Sequence, residues 1–457
     1  MVTKYDFVVV GGGSAGFGLA SRVARAGFQV ALVEKGPLGG TCPNYGCIPT
    51  KDLIQGARVA SHARRSGEFG IAIEGPVQVD LAKVIEIKDD FVARMLKHAH
   101  RQVAENKNLN LYQEKGVFIS PEVIQVGHQQ ISGDKIVVST GGQPLLPPLE
   151  GLDKVDYLTS TSALQLKKLP AELVIIGGGI IAVEFAQMFA RFGSRVTVLQ
   201  RSHRLVPNVE EEISAELLEI FTQENIRVVL NADVKKVVPE ENKAVVTARD
   251  KNSGEEANYP ADKVLIATSR KPNTADLGLD NAGITTDGRG YIQVDDGLKT
   301  SAARVWAIGD VTGPPMFTST ARHDSYLLRQ HFLKGEKIST ADRLVPYAIF
   351  TDPEIASVGL SQADAARTGV PLDKIVFPFR FLGRARAMKE GKGFIKLIFN
   401  KETEKILGAH LIGPHAGELI HELIMALRFG ATLEDLREGI HVHPTLAEGF
   451  NYAALTY

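Results

Sequence analysis

Cysteine is scarce in this sequence: Cys42 and Cys47 are the only two among 457 residues. That excludes a disulfide-stapled scaffold, and it excludes a structural zinc site, which needs four ligands and rarely uses this spacing. No metal site is expected. Charge of one sign is missing as well. Fifty-two Lys and Arg stand against 53 Asp and Glu, for a formal net charge of -1, and no long basic run occurs. This balance offers nothing to nucleic acid or to a membrane surface. Long hydrophobic runs are also absent. The most apolar stretch, LVIIGGGIIAVEFAQMFA, is interrupted by three glycines and Glu184, so it reads as strand, turn and helix and not as a membrane span. No signal peptide is read in MVTKYDFVVV, which enters a strand-like run almost at once. A cytoplasmic location is expected.

Glycine is plentiful, at 44 residues, above the usual share of about 7% and in keeping with several tight turns. The length predicts two to four domains, because a single core stops growing well short of it.

A weak internal repeat organises the chain. YDFVVVGGGSAGFGLASRVARAGFQVALVEKG is echoed by ELVIIGGGIIAVEFAQMFARFGSRVTVLQRS. Each copy reads as apolar strand, glycine turn, small-residue helix and second apolar strand, which is a βαβ unit. Gly11, Gly13 and Gly16 fit G-x-G-x-x-G, and Gly177, Gly179 and Ala182 fit the permitted form ending in Ala. The first glycine makes the turn, the second admits a pyrophosphate, and the third lets helix pack on strand, with the helix N-terminus facing the anion. Two such turns predict two bound dinucleotides.

The end of each second strand suggests which ones. Glu34 can accept hydrogen bonds from a ribose hydroxyl, so the first unit is expected to hold the adenosine half of FAD. The equivalent position in the second unit is Gln200, followed by Arg201. A neutral and a cationic side chain suit a 2′-phosphate, so NADPH is expected in preference to NADH.

The expected architecture is α/β: two Rossmann-like dinucleotide-binding domains plus a C-terminal α+β domain. The flavin domain is drawn as 1–145 with 274–341, the nicotinamide domain as 146–273 and the last domain as 342–457. Leu81 to Glu105 predicts a long amphipathic helix, and Asn108 to Val138 predicts short strands. Leu146-Pro147-Pro148 and Arg270-Lys271-Pro272-Asn273 mark the crossings between domains. YAIF, GFIKLIF and ILGAHLIG predict strands of the last domain.

Cys42 and Cys47 lie in GGTCPNYGCIPTK, between the first βαβ unit and a predicted helix. A thiolate near a helix N-terminus is stabilised, as a thiol–disulfide centre requires. With this motif the chain resembles the flavoprotein pyridine nucleotide–disulfide oxidoreductases, a family that includes dihydrolipoamide dehydrogenase, glutathione reductase and mercuric reductase. The resemblance runs from Tyr5 to the C-terminus. STGGQP, VWAIGDV and HVHPTLAE match further family stretches.

The resemblance implies a redox disulfide in which Cys47 faces the flavin and Cys42 attacks the substrate. It implies that the C-terminal α+β domain is a dimerisation domain, and that His443, from a partner subunit of a homodimer, moves the proton while Glu448 orients its imidazole. Lys51 and Glu184 match a family ion pair beside the flavin. Ser14, Ala15, Lys35, Gly40, Thr41, Lys51, Gly116, Thr140, Gly141 and Asp310 are implied FAD contacts, together with the glycines of the first turn and Glu34. Ile181 and Arg270 join Gly177, Gly179, Gln200 and Arg201 around the nicotinamide coenzyme. His441 has no implied catalytic part.

The implied substrate is a small disulfide or dithiol. A rival reading is a metal-ion or oxidant reductase, lacking the C-terminal cysteine pair of mercuric reductases. A non-catalytic redox sensor is the third reading, and His443 with Glu448 argues against it, since a sensor needs no acid–base histidine.

Overall fold

The chain, described over residues 1–457 in a computed structural model, forms two compact units. The first comprises Met1–Asp52, Ile85–Leu145 and Ser269–Arg343. Its sheet grows from the β-branched runs read above: Val2–Val10 pairs in parallel with Val30–Val33, in register from Phe7–Val30 to Val10–Val33. Parallel pairing needs a crossover, and the helix Gly16–Arg25 supplies it, burying Leu19, Ala20, Val23 and Ala24. Leu109–Tyr112 extends the sheet on one side, and Gln129–Val138 with Val305–Ala307 on the other, all in parallel. Val123–Val126 and Gly116–Phe118 add antiparallel strands at that edge. Alternate side chains point to opposite faces, and here both are covered. Val8, Val10, Ala31 and Val138 enter one core, while Phe7, Val9, Leu32 and Val137 enter the other. The amphipathic helix Leu81–Ala104 matches its expected span, and its Leu96, Ala99 and Val103 pack on that second core.

Gly142–Pro144 pairs antiparallel with Arg270–Pro272. Thr140 Oγ1 donates to Asn273 O, and Asn273 Nδ2 donates to Thr140 O, each at 2.9 Å.

The second unit comprises Leu53–Val84, Leu146–Thr268 and Leu344–Tyr457. It contains the echo of the first sheet: five parallel strands in the order Arg227–Val229, Arg195–Leu199, Glu172–Ile176, Lys263–Ile266 and Tyr157–Thr159. The helix Ile180–Phe192 makes the first crossover. An antiparallel sheet, Ala232–Glu240, Lys243–Asp250 and Glu256–Ala261, closes the core around Val174, Ile176, Val246 and Ile266. A separate five-stranded antiparallel sheet runs Tyr347–Ile349, Glu354–Gly359, Ile406–Gly413, Phe394–Asn400 and Leu372–Pro378. The helices Ala416–Phe429 and Glu448–Leu455 pack on it through Ile420, Leu423, Phe450 and Ala453.

Polar side chains tie the two halves of this unit together. Gln187 exchanges hydrogen bonds with the backbone of Asp352, and buried Arg191 pairs with Glu224 and Asp352. Lys396, with no exposed surface, pairs with Glu210 at 2.6 Å and Glu212 at 2.8 Å. No helix is long and apolar enough to cross a membrane.

Candidate active site

The first glycine turn is built by close backbone approaches. Gly11 has φ +107°, and a Cβ there would lie 2.2 Å from Ser139 O. A Cβ at Gly16 would lie 2.0 Å from Gly11 O, so only hydrogen lets the helix come down on the strand. Gly13 differs: a Cβ there would meet nothing within 4 Å. Its missing side chain leaves open room in front of the helix N-terminus, the space a pyrophosphate takes. Ser14 and Ala15 follow in the same turn, ahead of the helix.

Beside this turn lies a cleft lined by Gly11, Glu34, Lys35, Gly116, Thr140 and Asn273. Glu34 accepts from Gly12 N–H at 2.6 Å and from Gly36 N–H at 2.7 Å. A carboxylate has about four acceptor positions, so capacity for a ribose hydroxyl remains. Gly141 has φ +66° and its backbone carbonyl takes Asn273 N–H. These residues fit the adenosine end of FAD.

The cysteine loop is docked on the same turn. Gly39 N–H donates to Gly12 O, and a Cβ on Gly40 would lie 2.8 Å from Gly13 Cα. Asn44 Nδ2 ties the loop down through Leu38 O and Gly40 O. Thr41 opens the short helix Thr41–Tyr45, which carries Cys42. Gly46 breaks it, since a Cβ there would meet Thr41 O at 2.8 Å. Cys47 then begins the helix Cys47–Arg64, with Lys51 one turn further on. The two sulfurs are not bonded to one another. Cys47 is exposed and Cys42 half-buried, and Cys47 Sγ lies 3.6 Å from Thr318 Oγ1. The Cys42 thiol is pushed up by its hydrogen bond to Cys47 and then by burial, with Thr318 and Arg322 opposing.

Asp310 follows Gly309, whose φ is +74°. Burial raises the Asp310 carboxyl, and Arg270, 3.7 Å away, opposes that rise. The turn is held from beneath. Buried Asp324 accepts Gly309 N–H at 2.9 Å and is paired with Arg343. Arg270 also donates to Gly142 O at 2.6 Å.

That second turn repeats the first. Gly177 has φ +112° and a Cβ there would meet Ala267 O at 2.5 Å, while Gly179 again faces open space. Ala182 is fully buried, and half-buried Ile181 lies beside it in the helix. Gln200 is buried, giving its amide protons to Ser202 Oγ and Arg204 O and accepting from Arg201 N–H. The Arg201 side chain is exposed. Buried Glu184 accepts Phe350 N–H at 2.9 Å.

In the C-terminal region His443 Nδ1 lies 2.8 Å from Glu448 Oε1. Glu448 also accepts from Thr445 N–H at 2.7 Å and from Tyr452 at 3.2 Å. The Thr445 amide first, then His443, holds the Glu448 carboxyl below the usual range. An ionised carboxylate on Nδ1 fixes that proton and leaves Nε2 for chemistry. His443 is 75% exposed. His441 is engaged elsewhere, with Glu422 and Gly439 O.

Thr318, Arg322, Asp324 and Thr445 were not anticipated from the sequence. No local pattern links Thr318 to a cysteine 271 positions away. Tyr452 had a signal, since it stands one helical turn after Glu448.

Residues 5–325 match the pyridine nucleotide-disulphide oxidoreductase family, and residues 345–454 match its dimerisation domain. A mercuric reductase of Staphylococcus aureus is 36% identical across 99% of this chain and 82% of its own length. A dihydrolipoyl dehydrogenase of Chlamydia trachomatis is 36% identical across 100% and 97%. The HOCl-induced flavoprotein disulfide reductase RclA of Escherichia coli, solved as a Cu(II) complex, superposes with a TM-score of 0.90 at 33% identity, covering 100% of both chains. With its paired glycine turns, its two-cysteine loop and these relatives, the chain belongs to the FAD-dependent pyridine nucleotide-disulphide oxidoreductases, which work with NAD(P)H.

Proposed function

We propose that this enzyme takes electrons from NADPH and delivers them through Cys42 and Cys47 to a small disulfide. The observation that carries the reading is the two-cysteine loop docked on the first glycine turn, with Cys42 and Cys47 on consecutive helices and Thr318 against the Cys47 sulfur. FAD, when bound, would supply the hydride and electron-pair transfer between the nicotinamide and the disulfide.

The chain's own residues do the rest. Cys47 is the sulfur beside the flavin and stays a thiolate after reduction. Cys42 loses its proton and attacks the substrate disulfide. His443 of the partner subunit takes that proton and later returns it to the departing thiol, and Glu448 keeps the imidazole oriented. Lys51, one turn beyond Cys47, would offer a cation to the flavin when FAD is bound. Gln200 and exposed Arg201 support the preference for the 2′-phosphate of NADPH. Residues 345–454, with Phe429, Ile440 and Val442 exposed, support pairing of two subunits.

The test uses the FAD-loaded enzyme. Two-electron reduction should give a long-wavelength absorbance from the thiolate beside the flavin. Cys47→Ser should abolish this band, while Cys42→Ser should keep the thiolate character of Cys47 before any reduction but lose disulfide turnover. Parental disulfide turnover by Cys42→Ser would overturn the assignment. A metal-ion acceptor is the second reading, favoured by the mercuric reductases and the copper-bound RclA among the relatives. Assays with lipoamide, oxidised glutathione, Hg(II) and Cu(II), each with both coenzymes, separate the two.

A further inference from the structure

The helix Thr318–Lys334 begins beside the two sulfurs. Thr318 Oγ1 is 3.6 Å from Cys47 Sγ, which identifies the helix face that the sulfurs meet. Side chains four residues apart share a face, so Arg322 stands one turn along that face. Arg322 is exposed, whereas its neighbours Ala321, Asp324 and Ser325 are buried. Its charge reaches Cys42 and lowers that thiol, against the raising effects of Cys47 and burial. Nothing in the electron path described above uses this cation.

We propose that Arg322 is a specificity-determining residue, placing a positive charge beside the attacking sulfur so that anionic disulfides are favoured over neutral and cationic acceptors. The inference rests on the disulfide-reductase reading of Cys42 and Cys47. In the first exchange, Cys42 thiolate attacks one substrate sulfur, forming a mixed disulfide and releasing one thiolate. Cys47 thiolate then attacks the Cys42 sulfur, which restores the Cys42–Cys47 disulfide and releases the second thiolate. Each released thiolate takes a proton. A fixed cation assists this sequence twice: it enlarges the thiolate fraction of Cys42, and it attracts acidic groups on the substrate. The same charge repels a metal cation approaching Cys42.

The experiment compares the FAD-loaded wild type with Arg322→Gln, Arg322→Glu and Arg322→Lys. The substrates are three disulfides of different charge: the dianion of dithiobis(nitrobenzoic acid), neutral dithiodipyridine and dicationic cystamine. At a surface separation of a few ångströms, each substrate charge should change kcat/KM by roughly three- to tenfold. The dianion-to-dication ratio should therefore fall about tenfold or more in Arg322→Gln. It should fall further in Arg322→Glu, recover in Arg322→Lys, and shrink in the wild type at high salt.

A second measurement needs no turnover. In the reduced protein, alkylation of Cys42 by iodoacetate relative to iodoacetamide, read by peptide mapping, should fall in Arg322→Gln and recover in Arg322→Lys. Unchanged ratios in both measurements overturn the inference while leaving disulfide reduction standing. A lysine variant that behaves like the glutamine variant overturns it as well, because charge would not be the cause. A wild type that reduces none of the three disulfides overturns the underlying reading, and this inference with it.

Discussion

Glu34 and Gln200 occupy equivalent positions in the two βαβ units, yet their side chains serve different ends. Glu34 is an acceptor on both oxygens, for Gly12 and Gly36. Gln200 is mainly a donor, and its amide holds Ser202 and the carbonyl of Arg204 in place. A glutamate at position 200 cannot donate, so it would lose both bonds and set a negative charge against a carbonyl. A substitution here should therefore disturb the loop as well as test the proposed coenzyme preference. We predict that Gln200→Glu with Arg201→Met moves the kcat/KM ratio toward NADH by about tenfold or more, since a charge-assisted phosphate contact contributes roughly 1.5–3 kcal/mol. Gln200→Glu alone should also lower the thermal midpoint. A wild type that prefers NADH would refute the preference.

Among the elements, the strand Phe394–Asn400 carries the most exposed-type residue in the least exposed place. Lys396 lies at zero exposure between Glu210 and Glu212. Removing one partner of a buried pair leaves the other charge uncompensated, at a cost of about 3–5 kcal/mol. Lys396→Met should lose that much in urea unfolding, and pairing it with Glu210→Gln should recover a large part. The pair also sets a pH dependence. Burial alone would raise the Glu212 carboxyl, but Lys396 and Lys374 outweigh it and bring it down to about 2. A depressed carboxyl stabilises the fold above its unfolded pKa of about 4.3 and loses that effect as pH falls toward the folded value. The thermal deficit of Glu212→Gln should accordingly be full near neutrality and disappear as pH drops from about 5 toward 2.

None of this network was legible in the sequence, where Lys396 sits unremarked in GFIKLIF. The strands themselves were legible, because β-branched runs and glycine turns are local signals, and so was the helix Leu81–Ala104 from its apolar period. The cysteine loop could be placed at a helix start for the same reason. Asp324 beneath Gly309 and Thr318 beside Cys47 depend on tertiary approach, which no local period encodes.

For the whole molecule the question is where an active site is completed. Within one chain, Cys42 belongs to the first unit, and His443 to the second. If each site takes His443 from the partner subunit, two crippled chains can repair one another. His443→Gln should keep its flavin and slow exchange by roughly 10²–10⁴, and Cys42→Ser should be inactive. Mixed and exchanged, these subunits should regain activity, since each heterodimer holds one intact site. No recovery in verified heterodimers would place the whole site in a single chain. The apolar side chains flanking His443 then acquire a second meaning. Ile440 is wholly and Val442 largely exposed in the single chain, and neither can move a proton or an electron. In a screen scored by enzyme activity, a charged residue at either position should nonetheless be classed with the loss of His443. The genetic map of this site should extend over side chains that take no part in its chemistry.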